Sequence, residues 1–194
     1  EIHNISLTAK GGYGKTFILL RFVYRIISEH KDVLPFYIPL NELDNSTPNC
    51  ISEFIVSTAM DLGCEGYTQK KLEDALNNYS GTVLFLFDGL NEITDYESRK
   101  NIIKSIFSLL RWTQNRNNNI RMIITSRYDF SSSFSEISEA AFNNYKNNFL
   151  HYQVNELSDD VIKEYITLVG CDISFDTLSY ETKQLLRTPQ GLHM

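Results

Sequence analysis

The sequence predicts an α/β fold in which helices flank a mainly parallel sheet. Short apolar runs alternate with helical patterns along the chain, as they do where helices join consecutive parallel strands. The strongest run, TVLFLFDG at 82–89, is continuously apolar, which is typical of a strand buried on both faces. The chain has 194 residues, a length that suits one domain, or one domain and the start of another.

Five segments are predicted to be strands. The first is short, partly β-branched and stops at glycines. The second contains Pro35 and Pro39, which place it at a sheet edge or limit it to a short piece. The predicted strands cover residues 5–9, 34–40, 82–89, 120–127 and 149–157.

Helical patterns fill most of the chain between and after these strands. The first predicted helix, 15–28, is apolar on nearly every side and is expected to pack deeply against the sheet. Caps are expected at Thr68 and Ser158, and Thr94 with Glu97 forms a capping-box pattern. The region after residue 130 is rich in serine and then asparagine, and we expect a loop with a short helix there. The other predicted helices cover 50–62, 69–79, about 94–111, a segment after Ser158, and 175–187.

Composition and charge exclude several classes of protein. The net charge of −6 argues against a surface devoted to nucleic acid, so nucleic acid is not an expected partner. No apolar run of roughly eighteen residues predicts a membrane span, and no export signal is recognisable. Three widely spaced cysteines favour reduced thiols, and we expect a cytoplasmic protein. The first residue is not methionine, so we expect a piece of a longer chain.

The segment AKGGYGKT, residues 9–16, has the character of a phosphate-binding loop between a strand and a helix. Its glycines let backbone N–H groups approach an anion, Lys15 supplies positive charge, and Thr16 supplies a hydroxyl for Mg²⁺. Ala9 departs from the usual glycine at the first position, a change that mainly affects the entry turn. The residues expected to bind nucleotide here are Lys10, Gly11, Gly12, Tyr13, Gly14, Lys15, Thr16 and Phe17.

A second acidic motif follows the third predicted strand. Asp88 ends that strand, so its carboxylate is expected at the carboxyl edge of the sheet, where α/β proteins bind ligands. There it can hold the water shell of Mg²⁺ together with Thr16. Glu92 could activate or orient an attacking water, whereas the neutral Asn91 cannot accept a proton.

The motifs GGYGKT, LFLFDGLNE and MIITSR, in this order and spacing, resemble the NACHT branch of the STAND class of P-loop NTPases. The resemblance extends over residues 5–192 and implies a three-layer sandwich with strand order 5-1-4-3-2. It also implies a nucleotide-binding domain over 1–157 and the beginning of a small helical subdomain over 158–194. Gly89 matches the small residue that this family places after the metal-side aspartate. Asn91 departs from the family, which usually has a second acid there.

The resemblance also assigns residues that contact the nucleotide, ATP or ADP with Mg²⁺. The segment Thr125, Ser126 and Arg127 matches the family's sensor of the γ-phosphate, and Arg127 is the strongest candidate of the three. Pro189 in LLRTPQGL resembles the proline that lies against adenine, although a proline that ends a helix explains it equally well. The expected catalytic residues are Lys15, Asp88, Glu92 and Arg127.

The function implied by the resemblance is an ADP/ATP switch with slow ATP hydrolysis. In this class ADP holds a closed monomer, and the ATP form assembles into a homo-oligomer that drives an N-terminal effector. A C-terminal sensor receives the signal; both parts are expected outside this chain, and roles in immune or anti-phage defence are common in the family. The alternatives are an AAA+-like remodelling or DNA-associated ATPase, a P-loop small-molecule kinase, and a nucleotide-binding module that does not hydrolyse.

Overall fold

A computed structural model describes residues 3–43, 50–114, 119–127, 143 and 146–192. Its centre is a five-stranded sheet whose strands are all parallel and lie in the order β2-β3-β4-β1-β5, which confirms the predicted order. The strands are β1 (Asn4–Thr8), β2 (Val33–Pro39), β3 (Thr82–Asp88), β4 (Ile120–Ser126) and β5 (Phe149–Gln153).

Helices cover both faces of the sheet, so the predicted sandwich of three layers is confirmed. One face packs on α2, α3 and α4, and the opposite face packs on α1. The helices are α1 (Lys15–Glu29), α2 (Cys50–Asp61), α3 (Gln69–Asn78), α4 (Tyr96–Gln114), α5 (Asp159–Leu168), α6 (Tyr180–Leu186) and α7 (Pro189–Leu192). Short 3-10 turns occupy Leu40–Glu42, Leu90–Glu92 and Phe175–Thr177.

Strand β3 contributes side chains to the hydrophobic cores on both faces of the sheet. Phe85 and Phe87 point into the larger core with α2, α3 and α4, while Leu84 and Leu86 point into the smaller core beneath α1. Successive side chains of a strand face opposite sides of a sheet, so a strand covered on both faces must be apolar throughout. The prediction that this segment is a fully buried strand is confirmed, and β2 beside it forms the sheet edge expected from its prolines.

Helix α1 is less buried than its sequence indicates, and the prediction of deep packing was wrong. Leu19 and Ile26, seven residues apart, are buried against the sheet, but Phe17, Tyr24 and Ile27 are between 64% and 69% exposed. The helix packs over β2 and β3, and the described residues cover only that side of it. Although α1 is apolar on nearly every side, only one side of it is buried.

The predicted caps are correct at two helices and displaced at a third. Thr68 accepts a hydrogen bond from the N–H of Lys71 at 3.3 Å, and Ser158 accepts one from Val161 at 3.4 Å. Helix α4 begins at Tyr96, one residue after Asp95 rather than directly after Thr94. Asp95 Oδ2 accepts the N–H of Ser98 at 2.7 Å, a stronger acceptor than a threonine hydroxyl at this position.

The C-terminal third departs from the predicted boundaries. Strand β5 ends at Gln153 instead of 157, and the expected helix over 175–187 divides into a 3-10 turn and α6. Ser179 caps α6 by accepting the N–H of Thr182 at 3.2 Å, so the helix starts where a new cap is available. Of the short helix predicted after residue 130, only residues 143 and 146–148 lie within the described chain, and these are helical.

Two contacts join Arg187, the residue after α6, to the segment that leads from β5 into α5. The N–H of Leu157 donates to the carbonyl of Arg187 at 2.9 Å, and Arg187 Nη2 forms an ion pair with Asp159 Oδ1 at 2.6 Å. These contacts fix the position of Arg187, and the residues just after it, Pro189 and Gln190, lie at the carboxyl edge of the sheet. None of the helices in the described ranges is both long enough and apolar enough to cross a membrane.

Candidate functional site

A cleft of about 570 Å³ opens at the carboxyl edge of the sheet, above the ends of β1, β3 and β4. The loop between β1 and α1 forms one wall, and the turn after β3 forms another. The start of α7 closes the cleft from a third side. Its lining residues are Gly11, Gly12, Gly14, Lys15, Thr16, Phe17, Leu20, Asp88, Gly89, Asn91, Glu92, Arg127, Pro189 and Gln190.

This cleft brings together most of the residues that the sequence singles out, from motifs more than a hundred positions apart. Two of the predicted nucleotide-binding residues, Lys10 and Tyr13, do not line it. They line a neighbouring cavity of about 310 Å³ together with the last residue of β5, Gln153, and the three residues after it, 154–156. Tyr13 is buried, and its hydroxyl donates to Glu156 Oε1 at 2.9 Å. The pKa of Tyr13 is raised above its usual value, mainly by this hydrogen bond to Glu156 and secondly by burial.

The phosphate loop turns sharply into α1 at Gly14. Gly14 has φ of 75°, a left-handed conformation that favours glycine, and α1 begins at the next residue without a side-chain cap. A helix N-terminus directs backbone N–H groups and a partial positive charge toward the space before it. Here that space is the cleft.

Lys15 lies at the base of the loop, partly buried. Its Nζ donates to the backbone carbonyls of Ala9 at 3.0 Å and Lys10 at 3.2 Å. Burial lowers the pKa of Lys15 first, and the nearby charge of Arg127 lowers it further, while Asp88 and Glu92 oppose the shift. Two cations that disfavour each other across a cleft form a region of positive potential suited to phosphate oxygens.

Ala9 is accommodated within the fold. The residue is 1% exposed, and its N–H donates to the carbonyl of Ser126 at 3.2 Å, continuing the pairing between β1 and β4. Its methyl group is therefore part of the packed core and does not face the cleft, where Gly11, Gly12 and Gly14 lie. The departure from the usual first glycine leaves the phosphate-facing part of the loop unchanged.

Asp88 is held in place by hydrogen bonds from both neighbouring strands. Thr125 on β4 donates its hydroxyl to Asp88 Oδ1 at 2.5 Å, and Tyr37 on β2 donates its hydroxyl to Asp88 Oδ2 at 3.0 Å. The N–H of Gly89 donates to Thr125 Oγ1 at 2.9 Å, which directs the hydroxyl hydrogen toward the carboxylate. Burial, and then the negative charge of Asp88, raise the pKa of Tyr37, so this hydroxyl remains a donor at neutral pH.

The turn after Asp88 depends on the absence of a side chain at Gly89. Gly89 has φ of 78°, and a Cβ there would lie 3.0 Å from the carboxylate of Glu92. Glu92 therefore folds back over the backbone of Gly89 at the mouth of the cleft. Beside it, Asn91 Oδ1 is buried and has no hydrogen-bond partner within the described parts of the chain.

The segment Thr125, Ser126 and Arg127 divides into buried and cleft-lining residues. Thr125 and Ser126 are buried, with exposures of 0% and 1%, and the hydroxyl of Thr125 is used to hold Asp88. Arg127 is exposed and lines the cleft. Of the three, only Arg127 borders the cleft.

Pro189 and its neighbour Gln190 reach across to the phosphate loop. A Cβ on Gly14 would lie 3.2 Å from Pro189 Cγ, and one on Gly12 would lie 2.7 Å from Gln190 Oε1. Pro189 is the first residue of α7, so it begins a helix and does not merely end one. Two residues near the site were not predicted from the sequence: Gln190, whose signal is its position next to Pro189, and Tyr37, which has no local motif to mark it.

The donor set fits a magnesium-bound nucleotide. A carboxylate, Asp88, and a hydroxyl, Thr16, are the oxygen ligands or water-shell partners that Mg²⁺ accepts, and both line the cleft. The amide oxygen of Asn91, which has no hydrogen-bond partner among the described residues, adds a buried acceptor for a water or a hydrated cation. On the opposite side, loop backbone and Lys15 present donors to phosphate.

Comparison with solved structures finds the same fold in several other proteins. The AMPPCP-bound DnaA from Aquifex aeolicus is 13% identical with a TM-score of 0.58, and the match covers 100% of this chain and 54% of that one. A chain of the Drosophila ORC bound to DNA is 17% identical with a TM-score of 0.56, covering 94% and 42%. For Cdc6p from Pyrobaculum aerophilum the values are 12% and 0.54, covering 86% and 42%. At these identities the likeness shows the fold alone, and the chain spans about half the length of those proteins.

No curated protein matches the chain significantly. The model of the NACHT domain family does match it, over residues 4–169, which is most of the chain. That range contains the phosphate loop, Asp88, Glu92 and Arg127, and it ends just after α5. The chain therefore belongs to the NACHT domain family and forms a nucleotide-binding module of the P-loop ATPase type.

Proposed function

We propose that this chain is the nucleotide-binding module of a STAND signalling ATPase. It binds ATP and ADP with Mg²⁺, hydrolyses ATP slowly, and acts in the cytoplasm as a switch for homo-oligomerisation of a longer protein. In that protein an N-terminal effector and a C-terminal sensor flank the module, and defence against infection is the role we favour. The observation that carries the proposal is the meeting of Lys15, Asp88 and Arg127 in one cleft at the carboxyl edge of the sheet.

Each side chain of the cleft has a distinct part in binding. The loop amides and Lys15 bind the phosphates, because they supply donors and charge in a partly buried setting where both are strong. Thr16 and Asp88 would hold the Mg²⁺ ion and its water shell. When bound, Mg²⁺ neutralises charge on the phosphate oxygens and aligns them.

Hydrolysis requires a group that orients water beside the terminal phosphate. Glu92 lines the cleft four residues after Asp88, and its carboxylate can accept a hydrogen bond or a proton from that water. Asn91 can position a water through its buried amide oxygen but cannot accept a proton. One carboxylate where the family usually has two supports slow turnover.

The switch needs an interaction that ATP makes and ADP does not, since a ligand shifts an equilibrium only through its differential affinity. We assign that interaction to Arg127 and Lys15, which are the cations that line the cleft within the described part of the chain. Pro189 and Gln190 lie against the phosphate loop, so the helical segment after α6 touches the region whose occupancy changes. This contact supports a coupling between nucleotide and the helical subdomain that we place at 158–194.

A module that binds nucleotide without hydrolysing it is the second candidate. The neutral Asn91 favours it, and so does the folding of Glu92 against Gly89, which holds that carboxylate at the mouth of the cleft. Phosphate release by the wild-type chain separates the two candidates, because a module that does not hydrolyse releases none; Glu92→Gln then tests whether Glu92 is the group responsible.

Calorimetric titration of the purified chain with ATP and ADP, with Mg²⁺ and with EDTA, tests the proposal. We expect both nucleotides to bind, and Lys15→Ala to weaken binding by tenfold or more, since a bond to a charged group contributes about 1.5–3 kcal/mol. The matched control is Lys31→Ala, which removes an exposed lysine before β2 and should leave affinity unchanged. Absence of binding, or equal binding by Lys15→Ala and wild type, would refute the assignment.

A further inference from the structure

The hydroxyl of Tyr37 has a role that the packing of its ring does not explain. Tyr37 lies on β2 opposite Leu86 and packs against the small core beneath α1. A phenylalanine would supply the same ring to that core. The hydroxyl extends beyond that core and donates to Asp88 Oδ2 at 3.0 Å. Asp88 lies on the adjacent strand β3, 51 positions later in the sequence.

The strand pairing does not need this hydrogen bond. All seven residues of β2, from Val33 to Pro39, are in register with β3 from Thr82 to Asp88. The ladder and the apolar core already fix the position of the strand. The bond from Tyr37 therefore acts on the carboxylate rather than on the backbone.

The two hydrogen bonds to Asp88 together fix how the carboxylate is turned. Thr125 holds Oδ1 from β4, and Tyr37 holds Oδ2 from β2, so each oxygen has a donor on a different side. Asp88 is only 6% exposed, which leaves a small part of it open to the cleft. A carboxylate with four acceptor positions and two of them occupied presents the remaining lone pairs in a defined direction.

We propose that Tyr37 is a positioning residue for the magnesium site, orienting Asp88 toward the cation while making no contact with the nucleotide. The inference rests on the proposed function, because it needs Mg²⁺ to bind with the nucleotide. Groups that orient a metal ligand change metal affinity, typically by 10–100-fold, and leave the rest of the site intact. Loss of the Tyr37 hydroxyl should thus affect Mg²⁺ and spare the phosphate contacts made by the loop.

The test is a calorimetric titration of ADP into wild type and Tyr37→Phe, in EDTA and over a series of Mg²⁺ concentrations. We expect ADP affinity in EDTA to be the same for both proteins. The Mg²⁺ concentration that gives half of the metal-dependent gain in affinity should rise about tenfold in Tyr37→Phe. Thermal unfolding of both proteins is measured alongside.

The matched control is Tyr24→Phe, which makes the same chemical change at a tyrosine that is 69% exposed on α1. It should behave as wild type in both buffers. An unchanged Mg²⁺ response in Tyr37→Phe would overturn the inference, and so would an equal loss of affinity in EDTA and Mg²⁺, which indicates a purely structural role. If wild type binds nucleotide in neither buffer, the proposed function itself fails and this inference fails with it.

Discussion

The turn at Gly89 allows a prediction whose size follows from two separate features of the structure. The first is its φ of 78°, a left-handed conformation that costs a residue with a Cβ roughly 1–2 kcal/mol. The second is the Glu92 carboxylate, which an added Cβ would meet at 3.0 Å. Glu92 is exposed and can move, and leaving a favoured rotamer costs about 0.5–1.5 kcal/mol.

Gly170→Ala is the control that isolates the backbone term. Gly170 has φ of 68°, and a Cβ added there meets no atom within 4 Å. Both variants change the unfolded chain in the same way, so that contribution cancels between them. We therefore expect Gly89→Ala to be less stable than Gly170→Ala by about 1 kcal/mol, the cost of moving Glu92.

Urea unfolding monitored by circular dichroism measures this difference, and thermal unfolding should show it as about 2–4 °C for a chain of this size. The double variant Gly89→Ala, Glu92→Ala removes the carboxylate and should return the stability loss to that of Gly170→Ala. If Gly89→Ala is no less stable than Gly170→Ala, Glu92 does not lie over the Gly89 backbone as described.

Three further outcomes are expected. Arg127→Ala should weaken ATP binding about tenfold or more and leave ADP binding nearly unchanged in calorimetry, and equal losses for both nucleotides would refute a γ-phosphate contact. Glu92→Gln should keep nucleotide binding but lower phosphate release in a turnover assay, and unchanged release would eliminate its role in orienting water. Asp95→Ala should cost about 1 kcal/mol in urea unfolding because it removes the acceptor for the N–H of Ser98, while Thr94→Ala should cost close to nothing. If Thr94→Ala costs as much stability as Asp95→Ala, Asp95 is not the principal cap of α4.

The sequence predicted the layers and strands well because their signals are local. The apolar run of β3 and the glycines before α1 each specify their own backbone conformation within a few residues. Thr68 and Ser158 cap their helices for the same reason, since a cap acts over three residues. Asp95 was missed because two adjacent side chains can both cap, and the choice between them depends on where the chain enters the helix.

The burial of α1 was overestimated because its apolar content was weighed above its helical period. Its sequence is apolar on nearly every side, yet only a stripe that includes Leu19 and Ile26 meets the sheet. Arg21, Arg25 and Ser28 recur at helical spacing on the side opposite that stripe, so the period does mark the buried side of α1. How far burial extends around the helix depends on which strands it crosses, and that is a property of the sheet order.

The same dependence on sheet order explains why the contact between Tyr37 and Asp88 could not be predicted from the sequence. Asp88 ends β3, which lies between β2 and β4, so the ends of both neighbours are within reach of its carboxylate. Tyr37 and Thr125 are 51 and 37 positions away from it, and no spacing rule links them. If β3 were an edge strand, Asp88 could receive a donor from one side only, and its second oxygen would be free to turn. The central position of β3 thus allows Asp88 to be held from both sides.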